Sequence, residues 1–196
     1  MPEHENRTRR ELDAALRELL KQRPLDQLRV RELTELCGLR RQSFYYHFRD
    51  VYDLFAWSVR RERALLLERQ EECLTWQQAL LDLLDRIAGE RAFYQAVLDQ
   101  GGQKALGELI HLERTLETAQ SYYRDRSGAS PHPEAEAWER RCGEAILLSL
   151  LESWARDRLA LTPGELVLSL ERTVERNTAG TVWQTLRERG DWDWIF

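Results

Sequence analysis

Apolar residues recur at helical spacing along almost the whole chain, and no stretch shows the strict alternation of a half-buried strand. Leu12, Ala15, Leu16, Leu19 and Leu20 form one stripe and predict a helix over 8–22, stopped by Pro24. Val30, Leu33, Leu36 and Cys37 predict a short second helix that ends at Gly38, and a third short helix is predicted over 40–47. Asp50 then serves as N-cap of a long helix through Val51, Leu54, Phe55 and Ser58 to about residue 72. Thr75-Trp76-Gln77-Gln78 reads as a capping box opening a helix with Trp76, Ala79, Leu80, Leu83, Leu84 and Ile87 on one face. Gly89 breaks it. Helices over 91–99 and 103–126 are predicted on either side of Gly101-Gly102, followed by a loop from Ser127 to Pro133. The next stripe is Trp138, Cys142, Ala145, Ile146, Ser149, Leu150, Ser153 and Trp154. Thr162-Pro163-Gly164-Glu165 opens the last long helix, through Leu166, Leu170 and Val174. The pattern predicts an all-α protein with a head over 1–50 and a larger helical body over 51–196.

Composition narrows the class. Of 196 residues, 42% are hydrophobic and 32% charged, and seven Trp, six Tyr and five Phe need a core, which excludes a chain disordered throughout. No apolar run approaches the roughly 20 residues of a membrane span, and the charged start lacks a signal peptide, so no membrane partner is expected. Three widely spaced cysteines, Cys37, Cys73 and Cys142, fit a reducing cytoplasm better than a disulfide framework. They form no zinc pattern, and His111 and Glu113, two apart on a helix, do not converge, so no metal is expected. No nucleophile motif, phosphate-cradling glycine loop or paired-acid constellation occurs, so neither an enzyme nor a cofactor is expected. The net charge of −5 argues against a general nucleic-acid binder, yet residues 1–49 carry +3 and the remainder −8. A basic head on an acidic body leaves the head able to meet phosphate.

The stretch Val30–Phe48, VRELTELCGLRRQSFYYHF, carries the most chemistry. Its second helix presents Arg40, Arg41, Gln42, Ser43, Tyr45, Tyr46 and His47, with Phe44 and Phe48 four apart on the inner side. Such a helix fits a DNA major groove about 12 Å wide, where Arg suits guanine and Gln suits adenine. Ser, Tyr and His are phosphate contacts that fix register. Arg31 on the preceding helix is a further candidate contact. The competing reading is an ordinary solvated surface helix.

Residues 8–54 resemble the DNA-binding domain of the TetR family of bacterial transcriptional regulators. The likeness rests on Leu33-Thr34-x-x-Cys37-Gly38-Leu39, then Arg40-Arg41-Gln42-Ser43-Phe44-Tyr45-Tyr46-His47-Phe48, with Leu54 in the next helix. It covers about a quarter of the chain. The resemblance implies a three-helix head with a helix-turn-helix, a helical regulatory and dimerisation body, and a double-stranded DNA operator as partner. It also implies a homodimer, formed by the last two long helices, and a small-molecule effector in the body that shifts the spacing of the two heads. Trp138, Cys142, Ile146, Leu150, Trp154, Leu166, Leu170 and Val174 are the candidate dimer residues. The stripe they form serves equally for burial within one chain. Trp57, Tyr94, His111, Arg114, Tyr122, Tyr123 and Trp154 are candidate effector contacts, each also readable as packed core.

Three positions depart from the family pattern. Arg40 stands where a small capping hydroxyl is usual, Val51 where Lys contacts phosphate, and Thr34 where a small apolar residue follows Leu33. The run from Phe44 to Leu54 is most similar to TetR-type regulators related to the activator of dihydroxyacetone kinase operons, which implies an activator role and a protein coinducer. The alternative to a repressor or activator that reads DNA is a helix-turn-helix module acting through a protein partner.

Overall fold

Leu12, Ala15, Leu16, Leu19 and Leu20 are all buried on one face of the first helix, as their spacing requires. They belong to α1, Pro2–Leu20, in the computed structural model of the chain. The structure describes residues 2–113, 115–119, 121 and 133–178. After a 3-10 turn at Leu25–Gln27 come α2, Val30–Leu36, and α3, Arg41–His47. The body follows as α4, Val51–Glu72, α5, Trp76–Gly89, and α6, Arg91–Ile110. It closes with α7, Pro133–Ala155, and α8, Pro163–Thr178. Residues 113, 115–119 and 121 are also helical. Among the described residues every regular element is a helix, and none is long and apolar enough to cross a membrane.

The head closes around Leu12, Leu16, Leu33, Phe44 and Leu54, none of which is exposed to solvent. Each fully buried leucine contributes roughly 1.5–3 kcal/mol before the entropy of ordering it is set against it. The body core is built from Leu80, Leu84 and Ile87 of α5, Phe93, Leu98 and Leu106 of α6, Leu151 and Trp154 of α7, and Leu166 of α8. α6 packs on α7 and α5 on α8, while α1 lies against both α4 and α6. α1 therefore belongs to two surfaces at once: its leucine face fills the head, and another face meets the body.

The caps follow the sequence. Asp50 accepts from the Asp53 N–H at 2.8 Å, and Thr75 accepts from Gln78 N–H at 3.2 Å. Thr162 and Glu165 form the reciprocal pair, with Thr162 N–H to Glu165 at 2.8 Å and Glu165 N–H to Thr162 Oγ1 at 3.3 Å. One expected boundary is met and another differs. Gly101-Gly102 does separate two helical runs: Gly102 takes the non-helical φ 60, ψ −153 and kinks α6 there. The helix expected to run on to 126 stops at Ile110, because His111 turns left-handed at φ 46. Gln70 of α4 meets that end, donating to the Ile110 carbonyl at 3.0 Å and the His111 carbonyl at 3.2 Å.

Candidate nucleic-acid interface

Gly38 makes the turn between α2 and α3. It takes φ +65, which costs glycine nothing and strains any other residue. The Leu39 N–H then reaches back to the Thr34 carbonyl at 2.8 Å and ends α2. The Cys37 thiol donates to the Glu11 carbonyl at 3.3 Å, pinning this corner to α1. Thr34 is 2% exposed, and its hydroxyl bonds the carbonyls of Val30 at 3.1 Å and Arg31 at 2.9 Å. An in-helix bond of this kind is how a hydroxyl sits where the family pattern has a small apolar residue.

The two faces of α3 separate cleanly. Phe44 and Phe48 are buried, while Arg41, Gln42, Tyr45 and Tyr46 face outward, Tyr46 being 77% exposed. Ser43 and His47 are half-buried at the edges of that face. The Tyr46 and His47 rings meet edge-on at 4.9 Å. Arg40 is the N-cap residue and makes no side-chain cap bond, so its guanidinium is left to solvent. A capping hydroxyl there would be worth about 1 kcal/mol. Arg31 is exposed but pairs with Glu35 one turn on, Nε to Oε1 at 2.5 Å, and that hydrogen bond raises its pKa.

Val51 is 6% exposed at the start of α4, so this position supplies packing to the head rather than a phosphate contact. The first turn of α4 is closed by carboxylates: Asp50 caps Asp53, and Asp53 accepts from the Arg49 N–H at 3.0 Å. Arg49, which the helical pattern did not single out, has an 89% exposed side chain next to α3 and only a 3.9 Å contact to Asp53. Its signal was its position in the chain, immediately after the aromatic run.

Residues 12–56 match the family model described as bacterial regulatory proteins, tetR family. The likeness to that family lies in the head. A protein of Lactococcus lactis subsp. lactis (strain IL1403), described as HTH-type dhaKLM operon transcriptional activator DhaS, is 27% identical over 90 residues. The match covers 46% of this chain and 48% of that protein, so the chain spans about half the length of its curated relative. A solved structure titled dihydroxyacetone kinase operon activator DhaS superposes with a TM-score of 0.68 at 21% identity. It covers 85% of this chain and 93% of that one, and it places head and body in the same overall fold.

Among the described residues, those singled out as effector contacts have separate surroundings. Trp57 lies against Phe48 of the head, 5.8 Å between ring centroids. Tyr94 is fully buried, and its hydroxyl donates to Glu62 at 2.9 Å. Trp154 is 1% exposed and donates from Nε1 to the Leu161 carbonyl at 2.8 Å. Both tyrosine and tryptophan have their polar ends satisfied by protein. His111 is half-buried at the end of α6. Arg114, Tyr122 and Tyr123 lie outside the described residues.

Of the dimer candidates, Trp154 and Leu166 are core residues of a single chain, the latter 3% exposed. Cys142, Leu150 and Leu170 are half-buried, and Ile146 is 58% exposed. The side chains of Trp138 and Val174 lie outside the described residues. A groove of about 320 Å³ opens elsewhere, where the end of α1 meets the α5–α6 turn. Arg17, Lys21, Glu90, Arg91, Phe93 and Gln95 line it.

Proposed function

We propose that the chain is a sequence-specific DNA-binding transcriptional regulator whose α3 reads base edges in the major groove. The carrying observation is the outward set of Arg41, Gln42, Tyr45 and Tyr46 on a short helix whose other face is anchored by Phe44 and Phe48. Arg41 and Gln42 supply the donor patterns that distinguish guanine and adenine, while Ser43, Tyr45 and His47 hold register on the phosphates. Arg40 and Arg49 are the additional phosphate contacts, taking over from position 51. The relative described as a transcriptional activator supports activation as the sense of control.

In this reading the protein works as a homodimer, since two recognition helices must meet half-sites about 34 Å apart. Ile146, at 58% exposure on α7, and Leu168, at 50% on α8, are the apolar surface that supports pairing through these helices. The groove at the α1 end, rather than the surroundings of Tyr94 and Trp154, is the place for a small effector, its volume standing at the lower end of ligand sites.

Binding of the purified full chain to the DNA upstream of its own coding region, measured at several salt concentrations, tests the proposal. Selective retention with a log–log salt slope of several units is expected. The double variant Arg41→Ala, Tyr45→Ala should lose selectivity with an unchanged circular-dichroism spectrum. Retention that is absent, or indifferent to that double change, would remove α3 from the role.

A further inference from the structure

Where α1 crosses the body, a cluster of buried charge ties four helices together. Glu62 of α4 is wholly closed to solvent. Arg17 of α1 donates to it from Nη2 at 2.9 Å. Arg86 of α5 donates twice, from Nε at 2.6 Å and Nη2 at 2.7 Å. Tyr94 of α6 adds its hydroxyl at 2.9 Å. One turn before Arg17, Asp13 is 2% exposed and accepts from Arg61 Nη1 at 2.6 Å, from Arg17 Nε at 3.3 Å and from the Ser58 hydroxyl. Glu90 Oε2 lies 3.4 Å from Arg17 Nη1, so three carboxylates face three guanidinium groups. The Arg17 guanidinium also stacks 4.0 Å over the Phe93 ring of α6.

Such a cluster is a poor device for stability alone, because removing several charges from water offsets most of what their attraction returns. What it offers is direction. Charge-assisted hydrogen bonds hold an angle, whereas apolar contact tolerates sliding. Its charged groups are distinct from the apolar side chains Leu12, Leu16, Leu33 and Phe44 that fill the head. Arg17 and Glu90 border the groove, which places the cluster between that opening and the head.

We infer that Glu62 is a positioning residue: by taking donors from α1, α5 and α6 at once, it fixes the angle at which the head sits on the body. It thereby sets the direction of α3. The inference rests on the reading of α3 as the DNA-contacting helix, and its first test needs no DNA.

Nitroxide labels at Gln42→Cys in α3 and Asp85→Cys in α5, in a background with Cys37, Cys73 and Cys142 changed to Ser, report the head-to-body distance by pulsed electron resonance. Labelled chains are diluted into excess unlabelled chain so that only pairs within one molecule are read. With native Glu62 a single narrow distribution is expected, and Glu62→Gln should broaden or displace it while the helical spectrum persists. Tyr94→Phe removes one bond to Glu62 without stranding a charge, and should move the distribution the same way by less. It serves alone if Glu62→Gln does not fold. A distribution unchanged in the folded variants, with only the thermal midpoint lowered, would reduce the cluster to a structural role and overturn the inference. In a second arm, the upstream DNA fragment should bind Glu62→Gln about tenfold more weakly, within the usual range of coupling between sites. Equal affinity despite a displaced head would also overturn it. Failure of the native-Glu62 chain to bind that fragment sinks the proposed function instead, and leaves the distance result standing.

Discussion

The ring of Phe48 meets the ring of Trp57 edge-on, 5.8 Å between centroids. Phe44 follows at 5.9 Å from Phe48, so three rings in series seat the outward-facing helix on α4. Trp57 looked like a pocket residue in the sequence because a large ring with one polar end reads the same in a pocket and in a core. Its neighbours assign it to the floor of the head. Phe48→Ala should cost about 3–5 kcal/mol, as for other buried aromatic truncations. Trp57→Phe, which keeps a ring at the site, should cost less than about 1.5 kcal/mol. Urea midpoints of the two variants check this, and a Phe48→Ala loss below that of Trp57→Phe would show that the rings are not the seat.

The joint between α3 and α4 depends on a second local device. Asp50 accepts from Asp53 N–H, and Asp53 accepts from the Arg49 N–H just before the cap. Asp50→Ala removes the cap and should lower stability by about 1 kcal/mol, while Asp50→Ser should lower it by much less. Amide exchange in the first turn of α4 should accelerate in the alanine variant only. Uniform acceleration along α4 would show that the residue does more than close its end.

The elements were legible because each one obeys a local rule. Leu12 to Leu20 repeat at helical spacing, Gly38 falls where the backbone turns left-handed, and Thr162 stands three residues before Glu165. The outward face of α3 was legible for the same reason, Phe44 and Phe48 marking its inner side. The charge cluster was not. Asp13, Arg17 and Glu62 sit at spacings indistinguishable from solvated surface charge, and the Arg17–Glu62 pair spans 45 positions in sequence. The end of α6 was hidden too, since apolar periodicity continues past a residue that leaves the helix through its own backbone angles at His111. The burial of Tyr94 and Trp154 was left open by the sequence, because only their partners, Glu62 and the Leu161 carbonyl, tell a satisfied core residue from an open one.

Phosphate contacts should be measurable one at a time. The Arg49 side chain is almost fully exposed and weakly held, while Val51 is closed off. Arg49→Ala should reduce the salt slope of DNA binding by about 0.9, the value for one phosphate contact, with no change in thermal midpoint. Val51→Ala should do the reverse, lowering stability at constant slope. A slope unaffected by Arg49→Ala would place the phosphate grip elsewhere on the head.

Acid should act on the protein through Glu62. Burial alone would push its carboxyl pKa up, but the hydrogen bonds from Arg86, the charges of Arg17 and Arg86 and the Tyr94 hydroxyl together hold it below the usual range. The groups facing it are Arg17 from α1, Arg86 from α5 and Tyr94 from α6, with Asp13 beyond Arg17. Burial and the Glu62 charge in turn push the Tyr94 phenol up, so it stays neutral. With the folded value below the unfolded value of about 4.3, the unfolded chain takes up the proton first as pH falls. The contribution of Glu62 is therefore complete above about pH 5 and is lost as pH falls through the unfolded value toward the folded one. The difference in thermal midpoint between the native sequence and Glu62→Gln should be largest near neutrality and should shrink steadily in acid. A constant difference across that range would mean that the carboxylate is not held in its charged form by Arg17 and Arg86.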